Sequence, residues 1–225
     1  MRCSAALSLI AAVACGMPVV ATASDIVQIS THTAGINASL WESDLEIRAD
    51  GGVAAEVTID LLGMDRDNTT PLATHTLTVP AGATERLVDL IEDTFGLTFT
   101  TGALRMTTIS GTPSFGSRTV NRSSFSSFGF DIPAEGSSAA IGFGTTGRLV
   151  HLTGNGSFLT SLGFVNTTSL TISVDATLYR ADGTYLRTES LTLAPFDMQR
   201  RFHVFPSDDV EDGFALMTTS TAGGA

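Results

Sequence analysis

The chain has 225 residues, of which 43% are hydrophobic and only 16% are charged, so it holds enough apolar material for one or two packed cores. All twelve basic residues are arginine, and the absence of lysine excludes P-loop and Schiff-base lysine chemistry. The formal net charge of −11 argues against nucleic acid and anionic membranes as partners. No stretch after residue 23 is long and apolar enough to predict a transmembrane segment.

The first 23 residues have the pattern of a secretory signal peptide. Arg2 supplies the positive start, an apolar stretch follows, and Ala21-Thr-Ala23 is a small-x-small cleavage site. This pattern predicts a secreted or extracytoplasmic protein, in the periplasm or at the cell surface. Lipidation of Cys15 is the alternative interpretation. Because Cys3 and Cys15 both precede the cleavage site, the mature chain is predicted to contain no disulfide.

Alternating apolar and polar residues then predict a series of short strands separated by turn signals. In the first half these strands are residues 26–33, 39–48, 53–64, 73–79 and 102–108, followed by a Phe-rich hairpin of residues 114–121 and 124–132. Residues 84–96 are the one helix candidate, with apolar side chains at helical spacing. A strand followed by a single helical turn is the alternative, which we favour because the corresponding residues 199–205 alternate like a strand.

The second half of the chain repeats the first. A constant shift of 117 residues superimposes Trp41 on Phe158 and Leu45 on Leu162, and the strand at residues 53–64 also recurs. We interpret the repeated pair of strands as a β-hairpin, closed in the first copy by an Asp-Gly turn. The second copy has no counterpart of residues 111–133, the Phe-rich hairpin, so its sheet is predicted to leave one edge strand open.

These patterns predict an all-β protein made of two tandem antiparallel β-sandwich modules of the immunoglobulin or fibronectin kind, the second of them shortened. The predicted organisation is a signal peptide at residues 1–23, a first module at 24–133, a linker at 134–138 and an incomplete second module at 139–225. One larger β-sandwich or barrel is the alternative, since single all-β domains of roughly 200–250 residues exist.

The repeated segments resemble a known type of bacterial protein. Ser43-Asp-Leu45, Leu77-Thr-Val-Pro-Ala-Gly82, Gly102-Ala-Leu-Arg-Met-Thr107 and Ser117-Arg-Thr119 are similar to motifs of uncharacterised secreted tandem repeats with an Ig-like β-sandwich fold. The resemblance covers most of residues 28–219. It implies an extracellular module, often attached to other such modules, and it carries no catalytic residues that transfer to this chain. The second copy departs from the pattern because it lacks the terminal hairpin.

The candidate metal ligands are few. Asp65, Asp67 and Asn68 offer three side-chain oxygens in one short loop, which is the ligand type that calcium prefers, although the central Gly and closing Glu of a helical calcium loop are missing. Bonding of these side chains to the local backbone is the alternative. The four histidines, none of them at ligand-type spacing from another, predict no transition-metal site; they are His32, His75, His151 and His203.

The sequence contains no Gly-x-Ser-x-Gly elbow, no Ser-x-x-Lys motif and no cysteine after the predicted cleavage site, so it predicts a non-enzymatic protein without a cofactor. The predicted function is adhesion, surface display or protein–protein contact. The predicted partners are other extracellular proteins, or the protein itself through the open sheet edge. A carbohydrate-binding module that takes polysaccharide is the first alternative, and an extracellular enzyme is the second.

Overall fold

The computed structural model describes residues 6–7, 24–35, 39–122, 127–136, 139, 141–155, 158–205 and 209–221. The predicted signal peptide, its cleavage site and Cys15 lie outside the described residues, apart from a two-residue strand at Ala6–Leu7. The described residues include no helix long and apolar enough to span a membrane. The chain is nearly all β, and its strands pair in antiparallel sheets, which confirms the predicted all-β sandwich class.

The chain divides into two compact units. The first module comprises Pro18–Met64 and Thr70–Ser137, and the second module comprises Ser138–Ala225 together with Met1–Met17 and Asp65–Thr69. The strands of the first module are β2 (Ser24–Ala34), β3 (Leu40–Asp50), β4 (Ala55–Gly63), β5 (Ala73–Val79), β6 (Thr84–Leu87), β7 (Thr100–Ser110), β8 (Thr112–Arg122), β9 (Ser127–Asp131) and β10 (Ala134–Gly136). Those of the second are β1 (Ala6–Leu7), β11 (Ile141–Gly142), β12 (Thr146–Gly154), β13 (Leu162–Val165), β14 (Ile172–Tyr179), β15 (Tyr185–Leu193), β16 (Met198–Arg201) and β17 (Val210–Thr221).

In the first module a single sheet curls over on itself to make two layers. Its strand order is β5-β4-β7-β2-β3-β8-β9, with β10 on β2 and β6 on β3. Strand β2 belongs to both layers. Its residues from Ser24 to His32 pair with β7, with a register shift between Val27 and Ser30, and its last two residues pair with β3. The core consists of apolar side chains from both layers and from a π-helical turn at Leu90–Thr94; it includes Leu45, Ile47, Val57, Ile59, Leu61, Leu90, Ile91, Leu104 and Met106.

The second module repeats this arrangement with fewer strands. Its four-stranded sheet has the order β12-β17-β14-β15, which reproduces β2-β7-β4-β5, and its β13-β16 pair reproduces β3-β6. A further pair joins β1 to β11. The second core has its own buried side chains, among them Leu162, Phe164, Val174, Leu178, Leu193 and Met217. The predicted internal repeat is therefore a repeat of topology as well as of sequence.

The predicted hairpin is wrong in both copies. Strand β3 pairs with β6 and β8, whereas β4 pairs with β5 and β7, so the two strands that follow one another in sequence belong to opposite layers. Gly51 and Gly52, both at φ 74°, lie in the connection between the layers. Leu45 in β3 and Val57 in β4 are fully buried in the same core, and a hairpin would have shown the same alternation of buried residues.

Other predicted elements have clear outcomes. Residues 84–96 form a strand followed by a helical turn, as favoured, and the Phe-rich hairpin is the antiparallel pair β8-β9. The predicted linker is only partly a linker, because Ala134–Gly136 form β10 and pair with β2. The loop Asp65–Thr69, predicted to belong to the first module, groups with the second.

Candidate functional site

A buried histidine and two carboxylates meet at the end of β2. The Nδ1 atom of His32 lies 2.9 Å from Oδ2 of Asp89, and its Nε2 atom lies 3.5 Å from Oε2 of Glu92. His32 is only 6% exposed, and Asp89 is buried as well. Asp89 has left-handed backbone angles (φ 42°, ψ 55°) and leads directly into the π-helical turn that carries Glu92.

Asp44 on β3 supports this cluster from the neighbouring strand. Its buried carboxylate accepts a hydrogen bond from the backbone N–H of Asp89 at 3.1 Å and another from the Arg86 guanidinium at 2.7 Å. The first bond holds Asp89 in its unusual backbone conformation, and the second compensates a buried negative charge. Asp44, Asp89 and His32 therefore form one continuous polar network at the edge of the first core.

The charges around His32 determine its protonation. Burial alone would lower the pKa of His32, but the hydrogen bond with Asp89 and the negative charges of Asp89, Glu92 and Glu42 together outweigh burial and raise that pKa above its ordinary value. The raised pKa means that the folded state holds this proton more tightly than the unfolded chain does. Protonated His32 therefore stabilises the first module.

We expect the stability of the first module to depend on pH through His32. The contribution is fully present below about pH 6.5, the pKa of an unfolded histidine, and is lost as the pH rises through the raised pKa of the folded protein. Urea unfolding of wild type and His32→Gln across this range should show a free-energy difference that shrinks as the pH rises. In Asp89→Asn, which removes the main cause that raises the pKa, the pH dependence should be weaker; an unchanged dependence would contradict this assignment.

His32, Asp89 and Glu92 are also a possible metal site. Among the described residues they are the one group of three His, Cys, Asp or Glu side chains whose ligand atoms all lie within 4.8 Å of one another. Asp89 contacts Nδ1 of His32 and Glu92 contacts Nε2, so the carboxylates lie at different nitrogens of the imidazole ring. An ion at Nε2 would have His32 and Glu92 as its protein ligands, whereas zinc sites generally use three or more. We therefore interpret the group as a network of charges that fastens β2 to the helical turn.

A charged cavity of about 530 Å³ lies beside Asp44 in the first module. Its lining is dominated by charged side chains from β3, β6, β8 and β9, with Ile132 and Pro133 at one side. Carbohydrate platforms in proteins present aromatic rings, and no aromatic residue lines this cavity among the described residues. The cavity does not favour polysaccharide binding.

The predicted calcium loop, which groups with the second module, bonds to nearby backbone. Oδ1 of Asp67 accepts a hydrogen bond from the N–H of Thr69 at 2.8 Å, which is an Asx-turn. The buried amide of Asn68 donates to the carbonyl of Arg66 at 3.2 Å and to that of Phe196 at 3.0 Å. Asp65 and Asp67 belong to no group of three His, Cys, Asp or Glu ligands in the described part of the chain. Calcium binding by Asp65, Asp67 and Asn68 stays a prediction.

The other histidines are apart from the His32 cluster. His151, which recurs at the place of His32, lies on β12 in the second module, where its Nδ1 contacts Oδ1 of the exposed Asp212 at 2.6 Å. His75 lies on β5 of the first module, and His203 follows β16 of the second. The matching positions of His32 and His151 therefore reflect the repeated topology, since their carboxylate partners come from different elements.

The largest difference between the two modules lies at β3 and its counterpart β13. Strand β3 runs for 11 residues and pairs with β6 on one side and β8 on the other. Strand β13 has only 4 residues, and among the described residues it pairs with β16 alone. The position that β8 occupies in the first module therefore has no strand in the described part of the second.

Aromatic residues differ between the two modules at the same position, the side of β13 that has no strand partner among the described residues. In the first module the ring of Trp41 is contacted edge-on by Phe128 at 5.4 Å and by Phe130 at 6.2 Å, both from β9. Phe158 takes the place of Trp41 in the repeat, and it is 63% exposed; its neighbour Leu159 is 65% exposed. Two large apolar side chains thus lie uncovered beside β13, where the first module has a hairpin.

Comparison with protein-family models, with curated proteins and with solved structures gave no match in any of the three cases. The resemblance to secreted bacterial tandem repeats therefore stays a prediction, and the site is interpreted from its own residues.

Proposed function

We propose that this chain is a secreted, non-enzymatic β-sandwich protein that binds other proteins by accepting a β-strand at the open edge of β13. The observation that carries the proposal is a difference in pairing: among the described residues β13 has a strand on one side only, whereas β3 has one on both sides. An unpaired strand edge presents free backbone N–H and C=O groups, which pair readily with an extended segment of another chain.

The exposed side chains beside β13 support the same function. Phe158 and Leu159 would be covered by an incoming strand, as Trp41 is covered in the first module. The favoured partner is an extended segment that places an aromatic side chain over Phe158.

Other features agree with a binding role outside the cytoplasm. The N-terminal residues have the composition of a secretory leader, and the high acidity favours solubility. The cluster of titratable groups around His32 is an internal charge network whose histidine is already bonded to Asp89. A structural role accounts for that cluster without any catalytic step.

The first module supplies a probe for the vacant position. A synthetic peptide of residues 112–131, which spans β8 and β9, should bind the full chain, as measured by fluorescence anisotropy of the labelled peptide. A scrambled peptide of the same composition should not bind. The double variant Phe158→Ser/Leu159→Ser should lose at least about tenfold in affinity, because two apolar side chains no longer contribute to the contact.

A matched control distinguishes peptide binding at Phe158 and Leu159 from non-specific hydrophobic binding. Phe143→Ser/Leu170→Ser also removes one phenylalanine and one leucine that are exposed in the second module, but neither residue lies in the segment that leads directly into β13. This control should bind the peptide as wild type does. Equal loss of binding in both double variants, or no binding to wild type, would contradict the proposed function.

A further inference from the structure

The charged cavity beside Asp44 has the size and the setting of a small-molecule site. Its volume of about 530 Å³ falls in the range of roughly 300–1,000 Å³ that is usual for ligand pockets. Its walls come from paired strands of the first module, so the sheet fixes the positions of the lining residues. Gly116 on β8 also lines the cavity, and a Cβ atom there would meet no atom within 4 Å. The missing side chain helps to keep the cavity open.

Part of the charge in the lining is paired internally. One guanidinium nitrogen of Arg86 lies 2.7 Å from Oδ2 of Asp44, and Nε of Arg86 lies 3.6 Å from Oε1 of Glu46. The buried Asp44 carboxylate also accepts the hydrogen bond from the backbone N–H of Asp89. Arg86, Asp44 and Glu46 are therefore held by one another and by the network around His32.

Arg118 and Asp131 are the two remaining charges of the lining, and both are exposed. They lie directly opposite each other in the β8-β9 pair, a position at which opposite charges usually attract. Neither side chain forms a hydrogen bond or an ion pair with any described residue. On its other side Arg118 is opposite Asp44, whose carboxylate is already bonded to Arg86. The cavity thus presents one unpaired cation beside one unpaired anion.

From this arrangement we infer that the cavity binds a small zwitterion, with an α-carboxylate on Arg118 and an α-ammonium group on Asp131. A guanidinium group binds a carboxylate through two parallel hydrogen bonds, and a carboxylate accepts hydrogen bonds from an ammonium group. Ile132 and Pro133 lie at one side of the cavity, where they would contact an apolar side chain of the ligand.

The composition of the lining selects a zwitterion over a simple ion. The lining contains three carboxylates and two guanidinium groups, so a lone anion would be repelled by the carboxylates and a lone cation by the guanidinium groups. Free amino acids and short peptides share the required pair of charges. The inference concerns a different site from the edge of β13 and does not rest on the proposed function.

Isothermal titration calorimetry on the full chain tests the inference with leucine and leucyl-leucine as probes. At least one of these zwitterions should bind, and the tighter of the two shows whether the ligand is a free amino acid or a peptide. N-acetyl-leucine lacks the ammonium group and leucinamide lacks the carboxylate. Each should bind at least about tenfold more weakly, because one charged hydrogen bond is lost. No binding of either zwitterion, or equal binding of the blocked probes, would overturn the inference.

Variants assign the two charges to their residues. Arg118→Gln and Asp131→Asn should each weaken binding of the tighter zwitterion at least about tenfold. Arg48→Gln and Asp50→Asn are the matched controls, since they alter an exposed 3.0 Å ion pair of the same module that does not line the cavity. Both controls should bind as wild type does. An equal loss in the controls, or no loss in Arg118→Gln and Asp131→Asn, would overturn the assignment.

A variant that fills the cavity without changing its charge gives an independent test. Gly116 has no positive φ, and valine is favoured in strands, so Gly116→Val should fold normally as judged by circular dichroism. The valine side chain would lie in the open space beside β8 and should weaken zwitterion binding at least about tenfold. Wild-type affinity in folded Gly116→Val would place the zwitterion elsewhere and overturn the inference.

Discussion

Replacing Leu45 by Ala is expected to lower the free energy of unfolding of the first module by about 2–5 kcal/mol, the usual cost of truncating a fully buried leucine. Leu45 has no exposed surface and belongs to the core between the two layers of the curled sheet. The chain has a single tryptophan, Trp41, which lies on the same strand. Urea unfolding followed by Trp41 fluorescence therefore reports on the first module.

Leu162 is the matched position in the repeat and provides the control. It is buried in the second core, so Leu162→Ala should cost a similar amount, but the loss should be seen by circular dichroism and not in the Trp41 transition. The reason is that the two cores have separate sets of side chains. A Leu162→Ala variant that shifts the Trp41 transition as much as Leu45→Ala does would show one cooperative unit instead of two.

The alternation of apolar residues predicted most strands and the faces they bury, but it did not predict which strands pair. Leu45 and Val57 face one core from opposite layers, and the same spacing would occur if their strands formed a hairpin. Periodicity describes one strand at a time, whereas pairing depends on contacts far apart in sequence. The register of β3 with β8, for example, joins Leu45 to Ser117.

The internal repeat was the more informative signal for the candidate site. It predicted a second copy without the Phe-rich hairpin, and among the described residues β13 pairs with β16 alone, whereas β3 also pairs with β8. A difference between two copies of one arrangement predicts where their strand pairing differs without any knowledge of the tertiary contacts. The identity of the partner depends on chemistry that a repeat alone does not contain.

The His32 cluster lay beyond sequence reasoning for a different reason. Asp89 and Glu92 are three residues apart in the stretch of residues 84–96, and the sequence analysis assigned neither of them to a site. His32 is 57 residues away from Asp89 along the chain, and no local pattern links them. They meet because β3 pairs with the end of β2 and also with β6, the strand that precedes Asp89.

The central claim is that β13 has no strand partner among the described residues on the side where β3 has β8, and it predicts a large difference in amide hydrogen exchange. Residues 45–48 of β3 pair with β6 on one side and β8 on the other, so all their amides should be protected. Successive amides of a strand point to opposite sides. About half of the amides in residues 162–165 should therefore face the open edge of β13 and lack a strand partner.

Hydrogen exchange measured residue by residue on the full chain, at a dilution that keeps it monomeric, tests this claim most directly. Alternate amides of residues 162–165 should exchange on the order of 100-fold faster than the amides of residues 45–48. Addition of the peptide of residues 112–131 should slow those same amides. Uniform protection of all four β13 amides in the dilute protein, equal to that of β3, would contradict the account, because the edge would then already be occupied.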